Sequence, residues 1–258
     1  TTGQGIDFSD LDVNFTRIIN NSFFNTSGGA LAYSGFKYFH TIINNTIRDS
    51  TTVRIRDSVF NDNNLTGQIE FESPQNTTIS RNRFFKGLFV DTIANGSNVS
   101  HNVVTTRFEI DIGADSIIVE HNVLNKTKFE FTGRHSTLYN NTIQHYNKSS
   151  GSAVSLYGLN NTFDSNLIQY SRSGILTSTA TNTTFIHNNF TDNVNQFDYS
   201  TGKGINISYN TFSNITNPTF GALYVSGGTA EIGFNNFSVN STSLYTINSN
   251  VTVKNNSV

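Results

Sequence analysis

The stretch Ile207-Ser208-Tyr209-Asn210-Thr211-Phe212 contains the pattern on which the whole sequence is built. It reads as an apolar residue, two variable residues, an asparagine, one variable residue and a second apolar residue. The asparagines of this six-residue frame are Asn21, Asn45, Asn82, Asn102, Asn122, Asn141, Asn166, Asn188, Asn210, Asn235 and Asn256. From Asn82 onward they are separated by 20, 20, 19, 25, 22, 22, 25 and 21 residues. A period of this size, kept over many copies, predicts a solenoid.

Short runs rich in Val, Ile, Thr, Tyr and Phe flank each frame, and apolar and polar residues alternate within them. This alternation favours β-strands, and no segment has the i, i+3, i+4, i+7 pattern of an amphipathic helix. Asparagine is rare within strands and common at bends, because its side chain tolerates left-handed backbone angles. Each copy is therefore predicted to form a strand, a tight asparagine turn and a second strand.

Stacked copies would place the frame asparagines above one another at the ~4.8 Å spacing of strands in a sheet. Side-chain amides at that spacing can hydrogen-bond from coil to coil as a ladder. The predicted ladder contains Asn82, Asn102, Asn122, Asn141, Asn166, Asn188, Asn210, Asn235 and Asn256.

On these residues the sequence resembles the right-handed parallel β-helices of the pectate-lyase-like superfold, which have short asparagine-containing repeats. The resemblance covers nearly the whole chain and implies an all-β, single-stranded right-handed solenoid of about 11–12 coils with an asparagine ladder. The variable spacing argues against the left-handed form, whose coils follow a strict hexapeptide repeat. Because this superfold contains lyases, hydrolases, epimerases, phage fibres and surface proteins, the resemblance leaves the activity open.

The repeat predicts a single domain over residues 1–258, because each coil of a solenoid contacts only its neighbours. Residues 46–81 break the pattern. There Ile55-Arg56-Asp57-Ser58-Val59-Phe60 matches the frame with Ser58 in the asparagine position, only 13 residues beyond Asn45. That distance is too short for a coil, so an irregular coil or loop is expected.

Composition excludes several classes of function. The formal net charge is -2, the pI is about 6.3, and no Lys- or Arg-rich run is present, which argues against nucleic-acid binding. No apolar stretch is long enough to span a bilayer. Without cysteine, the chain has no disulfide framework, zinc cluster or thiol chemistry.

The sequence is also rich in N-x-Ser/Thr sequons, which are acceptors for N-linked glycans. They stand at Asn14, Asn20, Asn25, Asn44, Asn64, Asn76, Asn95, Asn98, Asn125, Asn140, Asn147, Asn160, Asn182, Asn189, Asn206, Asn214, Asn236, Asn240, Asn250 and Asn255. These are 20 sequons among 38 asparagines, about twice the number expected by chance from the Ser and Thr content. Part of the excess comes from the repeat, which favours Asn-Asn-Ser/Thr. The excess predicts an extracellular, glycosylated protein.

A column of carboxylates is the best catalytic candidate. Asp91, Asp111 and Glu130 each lie 11 residues before a frame asparagine, and Glu72 lies 10 before one. Stacked acids repel each other unless a cation relieves them. These carboxylates alternate with apolar residues such as Ile110 and Phe131, so they are expected to point outward. The superfold's enzymes carry catalytic carboxylates and calcium on an outward face of this kind. The resemblance therefore makes Asp91, Asp111 and Glu130 catalytic candidates, and these three with Glu72 candidate calcium ligands. A solvated face with local ion pairs is the alternative.

A second column contains Arg81, His101 and His121, each directly before a frame asparagine. Paired histidines can bind metal or transfer protons. The same position holds Ser165 and Phe234 in other coils, however, which favours an adaptable turn position. No Ser-His-Asp pattern or phosphate-binding glycine loop is present.

The ends of the sequence suggest assembly. Joining Val258 of one copy to Thr1 of the next would place successive frame asparagines 23 residues apart, within the observed spacing. We therefore expect subunits to stack end to end into a homo-oligomer or polymer. A fragment of a longer solenoid, or a cap too short to recognise, is the alternative.

Together these patterns favour a non-enzymatic structural protein of the cell surface. It would be an N-glycosylated subunit of a filament, sheath or surface layer, of the kind found on archaea or viruses. It would need no cofactor apart from its glycans and, if the acidic column binds it, calcium. The alternatives are a polysaccharide lyase or hydrolase, and a glycan-binding adhesin that uses outward aromatic residues such as Tyr157 and Tyr170.

Overall fold

A computed structural model describes residues 5–8, 14–24, 29–33, 35–91, 94–110, 114–146, 152–171, 175–177, 179–194, 197–200, 202–216, 221–239 and 242–258. Within these ranges the regular structure is entirely β, and every strand pairing is parallel. The strands are short because each coil turns three times.

Three long sheets form the walls of the molecule. Sheet 1 contains β2 (Arg17–Ile19), β6 (Thr41–Ile43), β10 (Val59–Asn61), β13 (Thr78–Ser80), β16 (Asn98–Ser100), β19 (Ile118–Glu120), β22 (Thr137–Tyr139), β25 (Thr162–Asp164), β28 (Thr184–Ile186), β31 (Ile205–Ser208), β34 (Thr229–Gly233) and β37 (Asn250–Lys254). Sheet 2 contains β3 (Ser22–Phe23), β7 (Thr46–Ile47), β11 (Asn64–Leu65), β14 (Arg83–Phe84), β17 (Val103–Val104), β20 (Val123–Asn125), β23 (Thr142–Gln144), β26 (Leu167–Gln169), β29 (Asn189–Thr191), β32 (Thr211–Ser213) and β35 (Asn236–Ser238).

Sheet 3 contains β8 (Thr51–Val53), β12 (Ile69–Glu72), β15 (Leu88–Asp91), β18 (Arg107–Ile110), β21 (Lys128–Phe131), β24 (Val154–Leu156), β27 (Ile175–Thr177), β30 (Phe197–Ser200), β33 (Leu223–Ser226) and β36 (Leu244–Ile247). Two small pairs complete the strands, β1 (Ile6–Asp7) with β4 (Leu31–Ala32) and β5 (Lys37–Tyr38) with β9 (Ile55–Arg56). Ten coils, from β6-β7-β8 to β34-β35-β36, contribute a strand to each long sheet. The predicted parallel β-solenoid is thus confirmed, with ten complete coils and incomplete ones beside them.

The core follows from the alternation of residues along each strand. Inward side chains stack on their equivalents in the next coil, as Phe190, Phe212 and Phe237 do with ring centroids 4.9 Å apart. Ile207 and Ile232, which open two successive frames, are fully buried and in register. Each coil therefore buries apolar surface only against the coils beside it, as in other solenoids.

The asparagine ladder satisfies every polar atom of the buried amide. In Asn188, the Nδ2 group donates to the Phe163 carbonyl at 2.7 Å and to Asn210 Oδ1 at 3.0 Å. Its Oδ1 accepts from the backbone N of Asn166 at 2.9 Å and from Asn166 Nδ2 at 3.0 Å. The same pattern joins the predicted ladder from Asn82 to Asn256. Buried amides that are fully paired stabilise the fold, whereas unpaired ones destabilise it.

The left-handed backbone angle belongs to the residue before each ladder asparagine, contrary to the predicted turn geometry. Positive φ values occur at Asn20, Asn44, Asp62, Arg81, His101, His121, Asn140, Ser165, His187, Tyr209, Phe234 and Asn255. We call this position the turn slot. The ladder asparagine is selected for its buried side chain, and the strained slot accepts many residue types at roughly 1 kcal/mol each.

Residues 46–81 form regular coils, so the irregular segment expected there is wrong. Phe60 to Leu65 is a complete frame, and its Asn63 donates from Nδ2 to Asn82 Oδ1 at 3.0 Å. Ser58 belongs to a different turn, where its Oγ accepts from the His40 N at 2.9 Å. Coils as short as 18 residues, from Asn45 to Asn63, are therefore compatible with the ladder.

Two adjacent asparagines provide a test of the ladder. Asn188→Ala leaves partners in two coils unpaired, so we expect a loss of about 2–4 kcal/mol in the free energy of unfolding. Asn189→Ala removes an exposed side chain from the next position and should change that free energy by less than about 0.5 kcal/mol. Urea unfolding of the unglycosylated protein measures both. Equal effects of the two substitutions would contradict the ladder as the main source of stability.

Candidate functional site

The outward surface of sheet 3 carries most of the chemistry that is grouped in one place. We call it the sheet 3 face. Its described side chains are Thr52, Arg54, Glu70, Glu72, Phe89, Glu109, Lys128, Glu130, Ser155, Tyr157, Asp198, Ser200, Tyr224, Ser226, Tyr245 and Ile247. They alternate along the strands with buried residues such as Phe71 and Phe131. Apart from Ser155, which is buried, the face therefore presents half-buried or exposed carboxylates, hydroxyls and aromatic rings.

The carboxylates that were predicted to form one acidic column lie in two columns of the strand register. Glu72 lies beside Asp91, whereas Glu130 lies beside Glu109 and continues the column of Glu70. The predicted alignment of Glu130 with Asp91 is wrong, because register partners do not lie at a constant distance from the ladder. Ile110 and Phe131 are partners, yet Ile110 lies 12 residues before Asn122 and Phe131 lies 10 residues before Asn141. Asp111 lies outside the described residues, as does the side chain of Asp91.

Two of the carboxylates have cationic partners. Arg54 Nη2 lies 2.7 Å from Glu72 Oε2, and Arg54 Nη1 donates to the Tyr33 carbonyl at 2.7 Å. Lys128 Nζ lies 2.7 Å from Glu130 Oε2. Because these side chains are about one-third exposed, the pairs contribute little to stability. They reduce the repulsion that the predicted column would otherwise have.

The structure leaves the predicted calcium site a prediction. Among the side chains that it describes, no three His, Asp or Glu residues converge as metal ligands. Of the four candidate calcium ligands, Glu72 and Glu130 have the cationic partners Arg54 and Lys128. A calcium site that included Asp91 and Asp111 would involve side chains outside the described set.

The histidine column belongs to the turn slots. The rings of His101 and His121 stack with centroids 4.8 Å apart, and Asn140 Nδ2 lies 3.0 Å from His121 Nδ1. Arg81 in the same column forms a bidentate pair with Asp62, at 2.8 Å for each contact. These side chains cover one another on the surface, which fits the adaptable turn position.

A cavity of about 480 Å³ opens at one end of the sheet 3 face. Thr52, Arg54, Gln68 and Glu70 contribute to its lining. Its size is that of a small-molecule site. The sequence contained no signal for it, because its lining comes from three coils whose lengths differ.

Asp198 is a carboxylate that the sequence analysis missed. It is half-buried on the sheet 3 face, and its Oδ1 is buried without a hydrogen-bond partner among the described residues. Burial raises the pKa of Asp198 above its ordinary value. Strand register places it beside Tyr224, whose ring stacks on Tyr245 with centroids 5.9 Å apart. The alternation of Phe197-Asp198-Tyr199-Ser200 was the available signal.

The described sequon asparagines lie on the surface, whereas the ladder asparagines from Asn45 to Asn235 lie in the interior. Of the described sequon asparagines, Asn98, Asn125 and Asn206 are half-buried and the rest are exposed. Asn25, Asn147 and Asn240 lie outside the described residues. Ladder residues from Asn45 to Asn235 are at most 2% exposed. The two roles of asparagine therefore occupy separate positions.

The two tyrosines proposed for an adhesin do not share a surface. Tyr157 follows β24 on the sheet 3 face, where its N donates to the Phe131 carbonyl. Tyr170 lies at a turn after sheet 2 with a positive φ, and its ring stacks on His145.

Across the described residues there is no helix with the length and apolar character that a membrane crossing needs.

No family model matches the sequence, and no curated protein matches it significantly. Among solved structures, the chain is similar to a crystal structure of a mutant of the periplasmic alginate epimerase AlgG, with a TM-score of 0.53 and 10% sequence identity. The match covers 93% of this chain and 77% of that protein. The epimerase is a right-handed β-helix, so the similarity confirms the predicted fold. At this identity it carries no information on activity.

Two carboxyls should titrate on opposite sides of the ordinary value. The Arg81 hydrogen bond lowers the pKa of Asp62, so Asp62 stabilises the fold above its unfolded pKa and loses that effect as the pH falls through its folded pKa. Burial raises the pKa of Asp198, so stability falls as the pH rises from its unfolded pKa to its folded pKa. We expect both shifts in a carboxyl ¹³C NMR titration. Arg81→Gln should return Asp62 alone toward the ordinary value, and a joint shift would contradict this assignment.

Proposed function

We propose that the protein is a secreted, N-glycosylated structural solenoid that acts on the outside of the cell. The observation that carries this proposal is that 20 of the 26 asparagines outside the ladder belong to sequons. A glycan needs an exposed asparagine, and every described sequon asparagine is exposed or half-buried. The periplasmic location of the similar epimerase agrees with a protein that works outside the cytoplasm.

The frame explains why the ladder itself contributes no sequon. The residue two positions after a ladder asparagine is the second apolar residue of the frame, so it is never Ser or Thr. Removing the twelve ladder asparagines, including Asn63, from 38 leaves 26, and 20 of these are sequons. The enrichment in sequons is therefore stronger among the asparagines outside the ladder than among all 38.

We further propose that the solenoid associates end to end with a second copy. The coil that contains β37 supports this proposal. Val253 occupies the frame position of Ile232 yet is 52% exposed, whereas Ile232 is fully buried. An apolar residue at this position is covered in the preceding coils, so a further coil, of the same chain or of a second copy, would complete its burial.

Glycosylation is tested on protein purified from its natural source. We expect its intact mass to decrease after enzymatic removal of N-glycans, because the enzyme releases the glycans from the polypeptide. Site mapping should assign glycans to sequons and none to the ladder asparagines. An intact mass that the enzyme leaves unchanged would contradict the proposal.

Assembly is tested by electron microscopy and light scattering. Val253→Asp places a charge in the contact and should abolish end-to-end particles, leaving the thermal unfolding of the other coils almost unchanged. Thr252→Asp adds the same charge at an adjacent exposed position and should leave assembly intact. A native chain that proves longer and monomeric would assign the covering coil to the same chain and overturn this part of the proposal.

A polysaccharide lyase or hydrolase is the second candidate. The observation that favours it is the strand register that places Glu109 beside Glu130 on the sheet 3 face, and a polysaccharide-modifying epimerase shows that the fold can host such chemistry. Its test is an assay of the parent protein on acidic polysaccharides, with Asp111→Ala and Glu130→Ala as variants. Cleavage by the parent that either variant abolishes would replace the structural proposal.

A further inference from the structure

The sheet 3 face has no glycosylation sequon on its strands. The ten strands of sheet 3 contain no asparagine, whereas the strands of sheets 1 and 2 contain eight. Seven of those eight belong to sequons, namely Asn64, Asn98, Asn125, Asn189, Asn206, Asn236 and Asn250. The low strand propensity of asparagine should act equally on all three sheets, so it does not explain the difference.

Sequons on this face would require only single substitutions. Glu130, Asp198 and Tyr224 each have Thr or Ser two residues later, at Thr132, Ser200 and Ser226. The positions hold carboxylates and an aromatic ring instead. If the sequons elsewhere carry glycans, the strands of this wall carry none, while sequons such as Asn76 and Asn95 place glycans only in the turns at its edge.

The charge of the bare face argues against an acidic polymer. Its described carboxylates are Glu70, Glu72, Glu109, Glu130 and Asp198, whereas its described cationic side chains are Arg54 and Lys128. Carboxylates are therefore in excess. A polyanion along the face would be repelled, and two copies placed face to face would repel each other as well.

The remaining groups suit an uncharged sugar chain. Carboxylates accept hydrogen bonds from hydroxyl groups, and aromatic rings provide apolar surface with a polar edge. Asp198, Tyr224 and Tyr245 combine these groups at one end of the face. The cavity beside Arg54 and Glu70 lies at the other end. Ten strands at ~4.8 Å spacing give a strip about 43 Å long, a shape that fits a linear polymer.

We propose that the sheet 3 face binds an uncharged linear polysaccharide along the solenoid axis and is kept free of the protein's own glycans for that purpose. The argument from bare surface rests on the proposed glycosylation, whereas the argument from charge and aromatic groups does not. Binding can therefore be tested on protein that carries no glycans.

The first experiment uses unglycosylated protein from bacterial expression. Cellulose, xylan, mannan and curdlan serve as uncharged probes in depletion and affinity-electrophoresis assays, and alginate serves as the acidic probe. We expect binding to at least one uncharged polymer, weakened at least tenfold by Tyr224→Ala. Tyr139→Ala, which removes an exposed tyrosine from sheet 1, should leave binding unchanged. The proposal would be overturned if the protein bound none of the four uncharged polymers or bound alginate more strongly than any of them. Equal effects of the two variants would also overturn it.

The second experiment tests the bare surface in a host that adds N-glycans. Glu130→Asn creates a sequon on the sheet 3 face, and Glu130→Gln removes the same charge without one. Val103→Asn creates a sequon on sheet 2, at the frame position of Asn64 and Asn189. We expect a glycan at residue 130 to abolish binding relative to Glu130→Gln, and a glycan at residue 103 to leave it unchanged. Retained binding with a confirmed glycan at residue 130 would overturn the proposal.

The two experiments separate this inference from the proposed function. Native protein without glycans would refute the proposed glycosylation and the reason given for the bare face. Polymer binding by the bacterial protein would still stand in that case. Glycosylated native protein that binds none of the polymers would refute polysaccharide binding by the sheet 3 face and leave the proposed glycosylation standing.

Discussion

The hydrogen bonds of the asparagine ladder are the constraint on which the rest of the structure depends. Each buried amide connects three coils, because it accepts from the coil before, donates to the coil after and donates to a carbonyl of the coil before. Replacement by an apolar residue would leave these hydrogen-bonding partners unpaired in the interior, where unpaired polar groups lower the free energy of unfolding. One residue per coil therefore fixes the register of sheets 1 and 2, and the stacked apolar side chains follow that register.

Because the ladder fixes the turn, the neighbouring positions are free to vary. The turn slot accepts Arg, His, Ser, Tyr and Phe in a left-handed conformation that favours none of them. The segments between sheet 2 and sheet 3, and between sheet 3 and sheet 1, vary in length from coil to coil. Function can therefore change at the slots, at the loops and on the sheet 3 face without altering the interior.

The sequence predicted the fold well because the frame is short and local. Asn82 to Asn256 could be aligned from spacing alone, since the six residues around each asparagine are nearly constant in pattern. Asn63 was missed because Ser58 imitates the frame in another turn of the same coil. Glu130 was misplaced because its distance to the ladder depends on a loop length that only the strand register reveals. Asp198 was overlooked because its environment depends on a coil more than twenty residues away.

The variable coil length has a consequence for how such a molecule changes in evolution. Coils of 18 to 25 residues all close on the same ladder, so duplication or deletion of one whole repeat leaves every other coil with an equivalent neighbour. The length of the molecule can thus change in steps of about 4.8 Å without redesign of its interior. In a solenoid of this kind, the number of coils determines the length of the molecule, and one buried amide per coil keeps the spacing constant.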